Sequence, residues 1–190
     1  MSKEFHIAVF ASGTGTTLQT LIDEQEKYGY RVTLVVVNRA CMAQERSAKA
    51  GILTLHTKDW ELIDRALCEH EVKMVVLAGF LAIIPAWICH KWDKRIINIH
   101  PSLLPKHGGK GMYGIRVQES VLASKDREAG CTVHYVSAEV DGGSIIAQAT
   151  VDVEDSDTAE TLLIRVQEQE KRLLPRVIGA LKHTIEWANI

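Results

Sequence analysis

The stretch His6-Ile7-Ala8-Val9-Phe10-Ala11-Ser12-Gly13-Thr14-Gly15-Thr16-Thr17-Leu18 predicts a buried strand, a glycine turn and the start of a helix. The apolar run ends at Ala11, and the helical spacing of Leu18, Leu21 and Ile22 follows the turn. A second apolar run at residues 32–37 precedes an alanine-rich helical pattern at residues 42–50, which Gly51 ends. Because such continuous apolar strands are typical of sheets covered on both faces, a parallel sheet is expected.

The same alternation continues along the chain. It predicts strands at residues 52–55, 74–78 and 96–99, helices at residues 59–69, 85–90 and 115–123, β runs at residues 131–136 and 144–153, and a long helix from Thr158. Strand–helix alternation predicts an α/β fold: a doubly wound, mostly parallel, Rossmann-like sheet with helices on both faces. Residues 106–114 hold four glycines and are expected to form a mobile loop.

Composition is that of an ordinary globular protein, with 190 residues, 46% hydrophobic and 24% charged, and one domain over 1–190 is expected. A net charge of −2 disfavours nucleic acid as a partner. No segment has the length of a membrane span or the pattern of a signal peptide, so we expect neither a membrane partner nor export. The four cysteines show no metal-ligand spacing, which favours reduced thiols, a cytoplasmic location and no metal.

An amide and an imidazole stand two residues apart in Asn98-Ile99-His100-Pro101-Ser102-Leu103-Leu104-Pro105. Residues i and i+2 of a strand point to the same side, so Asn98 and His100 can converge on one atom. Pro101 then ends the strand, because it has no N–H for the ladder. A buried histidine beside a turn asparagine is the structural alternative.

The glycine turn at Gly13 and Gly15 is placed where backbone N–H groups and a helix dipole can hold a phosphate. Leu18 stands where a dinucleotide fingerprint needs its third glycine, and the chain has no P-loop lysine motif. The hydroxyls of Thr16 and Thr17 favour a monophosphate, and a plain turn is the alternative.

Two further groups carry chemistry later in the chain. Asp141 lies in a tight Asp-Gly-Gly turn just beyond a strand, where a structural turn is the alternative, and His134 reads as a partly buried strand residue. In the last helix, Leu163, Val166, Leu173, Leu174 and Val177 mark the core face. Gln167 and Glu170 border that face at i+4 and i+7 from Leu163, so Glu170 needs a partner in the protein or in a substrate.

These pieces together resemble the glycinamide ribonucleotide (phosphoribosylglycinamide) formyltransferase family over nearly the whole chain. The resemblance rests on Ala11-Ser12-Gly13-Thr14-Gly15, Val76-Leu77-Ala78-Gly79-Phe80, the Asn98–Pro105 element, His134-Tyr135-Val136 with Asp141-Gly142-Gly143, and Arg165-Val166-Gln167-Glu168-Gln169-Glu170. The Asn98–Pro105 element alone is shared with the wider formyltetrahydrofolate hydrolase and transferase fold. The phosphate turn and the final-helix glutamine and glutamate narrow the resemblance to the ribonucleotide enzyme.

The resemblance implies formyl transfer from 10-formyltetrahydrofolate to the amine of glycinamide ribonucleotide, in purine biosynthesis. Asn98 and a protonated His100 would stabilise the oxyanion, and Asp141 would favour the imidazolium and hold a water that carries the proton. Gly15, Thr16 and Thr17 would receive the phosphate, and Gln167 and Glu170 the rest of the ribonucleotide. The folate-binding residues would be Leu81, Ala82, Ile83, Ile84, Asn98, Ser137, Ala138, Glu139, Val140 and Asp141. The division expected is a phosphate-binding half over about 1–100 and a folate-binding, closing half over about 101–190.

The chain departs from the family pattern at several positions. Thr16-Thr17 stands where Ser-Asn is more usual, and Ala82 stands where an arginine often holds the folate, for which Lys58 or a loop lysine would substitute. The glycine-rich loop at residues 106–114 is expected to close over substrate.

Three alternatives belong to other functional classes. A 10-formyltetrahydrofolate hydrolase would use the same three catalytic residues with water as the acceptor, a methionyl-tRNA formyltransferase would need an additional domain and a basic surface, and a binding module would lack catalysis. The partners expected are small molecules, with the protein a monomer or a homodimer.

Overall fold

A computed structural model gives the structure of residues 4–187; the ends of the predicted 1–190 domain lie outside the described residues. The strands are β1 (Phe5–Ala11), β2 (Tyr30–Val37), β3 (Leu53–His56), β4 (Met74–Leu77), β5 (Ile96–His100), β6 (Glu128–Tyr135) and β7 (Ile145–Asp152). The helices are α1 (Thr16–Tyr28), α2 (Ala43–Lys49), α3 (Trp60–Glu69), α4 (Ala86–Lys91), α5 (Ile115–Ala123) and α6 (Ala159–Trp187). Each predicted element is present, with its ends shifted by a few residues at most.

The strands form one sheet in the order β3-β2-β1-β4-β5-β6-β7 within the described chain. The first five strands are parallel, whereas β6 runs antiparallel to β5 and β7 antiparallel to β6. The strand order reverses between β1 and β4, and ligands of open α/β sheets bind at that switch point, beyond the carboxyl ends of the strands. The predicted α/β, mostly parallel fold is therefore confirmed, and its topology indicates where a site should lie.

Helices cover both faces of the sheet. One core contains Leu18 of α1, Val121 of α5 and Val166 of α6, and the other contains Ile63 of α3 and Ile88 of α4. All five of these side chains are at most 1% exposed. Burial on both faces explains why β1 and β2 read as nearly continuous apolar runs.

Two details of the prediction are corrected by the structure. Strand β6 begins at Glu128, three residues earlier than predicted, because Glu128 and Ala129 pair with Asp152 and Val151 of β7 despite their low strand propensity. On α6 the fully buried residue is Leu162, while Leu163 is only half-buried. Leu163 therefore faces away from the core and toward the cavity described below.

Candidate active site

Ser12 ties together three chain segments at the switch point of the sheet. Its side chain is 1% exposed, and Oγ donates to Asn38 Oδ1 at 2.8 Å. The same oxygen accepts the backbone N–H of Leu81 at 2.9 Å. Asn38 follows β2 and Leu81 follows β4, so this one hydroxyl fixes the loop beyond β1 against both neighbouring strands.

The glycine turn that follows opens α1. Gly15 is the residue before the helix, its φ is 70°, and no side chain caps the helix N-terminus. A Cβ at Gly15 would lie 2.8 Å from Ala43 Cα, so only glycine fits both the backbone angle and the space. The first N–H groups of a helix have no partner within the helix, and Thr16 and Thr17 line the cavity at this point. The turn therefore has the geometry of an anion-binding helix N-terminus.

Two arginines donate hydrogen bonds to backbone carbonyl oxygens of this turn, and the sequence analysis did not identify them. Arg39 Nε donates to the carbonyl oxygen of Ser12 at 2.6 Å, and Arg46 Nε donates to that of Thr14 at 2.8 Å. The two guanidinium groups bonded to these carbonyl oxygens bring positive charge to the turn beside the helix N-terminus.

Asn98 lies in the middle of β5 and contacts a histidine of the adjacent antiparallel strand. Its Nδ2 is 3.1 Å from His134 Nε2, and His134 Nδ1 is 2.9 Å from the carbonyl oxygen of Tyr135. A carbonyl only accepts, so His134 carries its proton on Nδ1 and accepts from the Asn98 amide through Nε2. Burial lowers the pKa of His134, which keeps this imidazole neutral. The sequence pattern gave His134 a structural role, but the fold makes it the group that orients Asn98.

His100 and Asp141 come together although 41 positions separate them in the chain. His100 Nδ1 lies 3.6 Å from Asp141 Oδ2, and the two side chains are only 5% and 12% exposed. His100 Nε2 donates to the carbonyl oxygen of His107 at 3.0 Å, and Asp141 Oδ2 accepts from the N–H of Gly109 at 2.9 Å. Each side chain is therefore held by backbone, with the imidazole and carboxylate facing one another.

Gln167 and Glu170 of α6 line the same cavity as this pair. Glu170 is 8% exposed, and burial raises its pKa to about 7. Within residues 4–185, Glu170 has neither a hydrogen bond nor an ion pair from another side chain. Among the described residues no lysine or arginine forms an ion pair with Glu170, although the charge of Lys171 partly opposes the rise in its pKa.

All of the residues that the sequence predicted for the site line one cavity of about 680 Å³, within the range of small-molecule sites. The apolar part of its rim includes Leu81, Ile83 and Val140, which are 46%, 65% and 41% exposed. Ala82 also lines the cavity, as does Lys110 of the glycine-rich loop, whereas Lys58 is not among the lining residues. Of the cations suggested to replace an arginine at Ala82, Lys110 of the loop lines the cavity and Lys58 does not.

The described part of the chain contains no group of three or more histidine, cysteine, aspartate or glutamate side chains that could hold a metal ion. Among the same residues, no helix is both long enough and apolar enough to cross a membrane.

The comparison with protein families gives a match over residues 5–178 to the family described as Formyl transferase. The chain belongs to this family. An Arabidopsis thaliana protein named phosphoribosylglycinamide formyltransferase, chloroplastic, is 38% identical over 95% of this chain and 67% of its own length. The Gallus gallus trifunctional purine biosynthetic protein adenosine-3 is 40% identical over 93% of this chain. This chain spans about two thirds of the Arabidopsis relative and only 18% of the trifunctional relative.

Solved structures of the family agree with this assignment. The phosphoribosylglycinamide formyltransferase of Anaplasma phagocytophilum superposes with a TM-score of 0.89 and 36% identity, covering 96% of this chain and 89% of that one. Glycinamide ribonucleotide transformylase 1 of Symbiobacterium toebii gives a TM-score of 0.85 at 34% identity, covering 94% of this chain and 88% of that one. Within the formyl transferases, the chain is thus a member of the phosphoribosylglycinamide formyltransferase family, a family of transferases.

Proposed function

We propose that this protein transfers the formyl group of 10-formyltetrahydrofolate to the amine of glycinamide ribonucleotide, giving formylglycinamide ribonucleotide and tetrahydrofolate. The observation that carries the proposal is a single cavity that joins a helix N-terminus able to hold a phosphate to Asn98, His100 and Asp141. A substrate whose phosphate binds at the helix N-terminus could therefore extend to the three proposed catalytic residues within the same cavity. The names of the relatives support the same reaction.

The ribonucleotide is assigned to the side of the cavity between α1 and α6. Its phosphate would lie at Gly15, Thr16 and Thr17, bound largely by backbone N–H groups because threonines replace the more usual Ser-Asn pair. Gln167 and Glu170 would contact the ribose hydroxyls and the glycinamide end. A buried carboxylate with no partner in the described chain is well suited to accept hydrogen bonds from hydroxyl groups.

The folate is assigned to the opposite side, where the exposed apolar side chains of the rim would cover its ring system. This side is formed by Leu81, Ala82, Ile83, Ile84, Ser137, Ala138, Glu139, Val140 and Asp141, together with Asn98. The loop at residues 106–114 contributes Lys110 and Tyr113 to the cavity wall, and its closure over both substrates is part of the proposal.

The chemistry follows from the hydrogen-bonding atoms that face the cavity. The neutral amine attacks the formyl carbon, a new C–N bond forms, and negative charge develops on the formyl oxygen. Asn98 Nδ2 and a protonated His100 Nδ1 donate to that oxygen, and one such donor contributes about 10²- to 10³-fold in rate. Asp141 accepts the amine proton through a water and returns it to the departing folate nitrogen as the C–N bond to folate breaks.

An absorbance assay of tetrahydrofolate formation, with and without glycinamide ribonucleotide, tests the proposal. We expect product only when the ribonucleotide is present. Product formation from 10-formyltetrahydrofolate alone would instead support the hydrolase alternative, which the names of the relatives do not favour.

Substitution of the three proposed catalytic residues gives a second test. Asn98→Ala, His100→Ala and Asp141→Asn should each lower kcat by roughly 10²-fold or more. Asp155→Asn serves as the matched control, because Asp155 is exposed and is not among the residues that line the cavity. Unchanged rates in all three variants would refute the mechanism.

A further inference from the structure

The backbone of residues 106–109 contacts both members of the proposed His100–Asp141 pair. The carbonyl oxygen of His107 accepts from His100 Nε2 at 3.0 Å, and the N–H of Gly109 donates to Asp141 Oδ2 at 2.9 Å. These are the only hydrogen bonds to either side chain among the described residues. Any displacement of this short segment would therefore move both side chains.

The side chain of His107 does not line the cavity and is bonded at both ring nitrogens. Nε2 lies 3.0 Å from Asp126 Oδ2, and Nδ1 lies 2.8 Å from Ser120 Oγ. A carboxylate only accepts, so Nε2 carries the proton. Nδ1 forms a hydrogen bond with the Ser120 hydroxyl, which can either donate or accept. Both partners come from α5 and the turn that follows it, so the segment is fastened to that helix.

The conformation of His107 also requires such fastening. Its φ is 53°, in the left-handed region that residues other than glycine rarely occupy. That geometry is unfavourable and persists only where the surroundings enforce it. The carbonyl of the preceding Lys106 is also fixed, because it accepts from Ser102 Oγ at 2.6 Å.

We propose that Asp126 is a positioning residue: it holds the His107 side chain, and the His107 carbonyl in turn orients His100 for formyl transfer. The inference rests on the proposed function for the role of His100 and Asp141, but its structural part is independent of substrate. Asp126 does not line the cavity, and within the described chain it reaches the segment through His107 and through an ion pair with Lys106. The hydrogen bond from His107 is also the main reason that the pKa of Asp126 is lowered, which keeps the carboxylate charged.

The experiment compares Asp126→Ala with Asp126→Asn and with the control Glu119→Ala. Asparagine keeps an oxygen that can accept from His107 Nε2 but removes the charge that pairs with Lys106. Glu119 is an exposed acid on α5 and, within the described chain, forms no hydrogen bond or ion pair with any of these groups. Steady-state kcat and KM for both substrates are measured, together with the side-chain ¹⁵N resonances of His100 in the ligand-free protein.

We expect Asp126→Ala to lower kcat about ten-fold with both KM values within about two-fold, less than the roughly 10² that a 1 Å misplacement can cost. Asp126→Asn should recover most of this loss, and Glu119→Ala should match the wild type. The His100 resonances should shift in Asp126→Ala alone.

A kcat for Asp126→Ala within about two-fold of wild type, or unshifted His100 resonances, would overturn the inference. Wild-type protein without transferase activity would instead refute the proposed function. In that case the ¹⁵N measurement would still decide whether Asp126 positions His100.

Discussion

Replacing Glu170 by glutamine should make the ligand-free protein more stable above neutral pH. Glu170 is 8% exposed and has no hydrogen-bonding or ion-pair partner within residues 4–185. Burial raises the pKa of this carboxyl from 4.5 to about 7, so the folded protein holds a proton that the unfolded chain has lost. Glutamine has nearly the same shape and never has to be buried as an anion.

The sign and the size of the effect follow from proton linkage. Between pH 4.5 and about 7 the native state binds more protons than the unfolded state, so this group lowers stability as the pH rises. One pKa unit corresponds to about 1.4 kcal/mol, so the full penalty is on the order of 3 kcal/mol above pH 7. Part of that penalty is already present at pH 5. The advantage of Glu170→Gln over wild type should therefore grow by about 2–3 kcal/mol between pH 5 and pH 8.

Urea unfolding of both proteins at pH 5 and pH 8 measures this difference. Glu168→Gln on the same helix is the matched control, because Glu168 is exposed and bonded to Lys171, which lowers its pKa. The control should show no gain at pH 8. A stability difference between Glu170→Gln and wild type that is equal at the two pH values would refute the reasoning.

From the proposed function we also expect that Glu170→Ala weakens ribonucleotide binding and leaves folate binding unchanged.

Two further predictions concern the phosphate turn and the thiols. Gly15→Ala should lower the free energy of unfolding by about 1–3 kcal/mol, because it combines a positive φ with a 2.8 Å approach to Ala43 Cα. Gly13→Ala, whose added Cβ meets nothing within 4 Å, should cost clearly less in the same urea titration. Cys131 is fully buried and its pKa is raised to about 12 by burial, whereas Cys68 is exposed. At pH 8 a thiol reagent should label Cys68 in the native protein and Cys131 only after unfolding, and peptide mapping showing equal labelling of the two would contradict this.

The fold was predictable because its signals are local. The run before Ala11 is apolar without alternation, and this pattern arises directly from burial on both faces of a parallel sheet. The turn at Gly15 was also predictable, since a glycine between a buried strand and a helix reflects a backbone requirement that no other residue meets. The spacing of Asn98 and His100 indicated a shared side of one strand for the same kind of reason.

The remaining parts of the site depend on contacts between distant segments, and the sequence carries no local signal for them. His134 looks like any strand residue, and only the antiparallel register that pairs it with Asn98 reveals its role. The contacts of Arg39 and Arg46 with the turn span 27 and 32 positions. A basic residue just after β2 or within α2 gives no sign of which carbonyl it will bind, so these contacts were missed.

The arrangement of the proposed catalytic groups has a common logic. Asn98 is oriented by a neutral histidine, His100 by a backbone carbonyl and Asp141 by a backbone N–H. The distance from His100 Nδ1 to Asp141 Oδ2 is 3.6 Å, which is longer than a hydrogen bond. Each group is therefore held by an atom that takes no part in the chemistry, and each keeps another polar atom free for the substrates. A site built in this way does not have to break internal hydrogen bonds before the tetrahedral intermediate forms, which is the condition for preorganised stabilisation of an oxyanion.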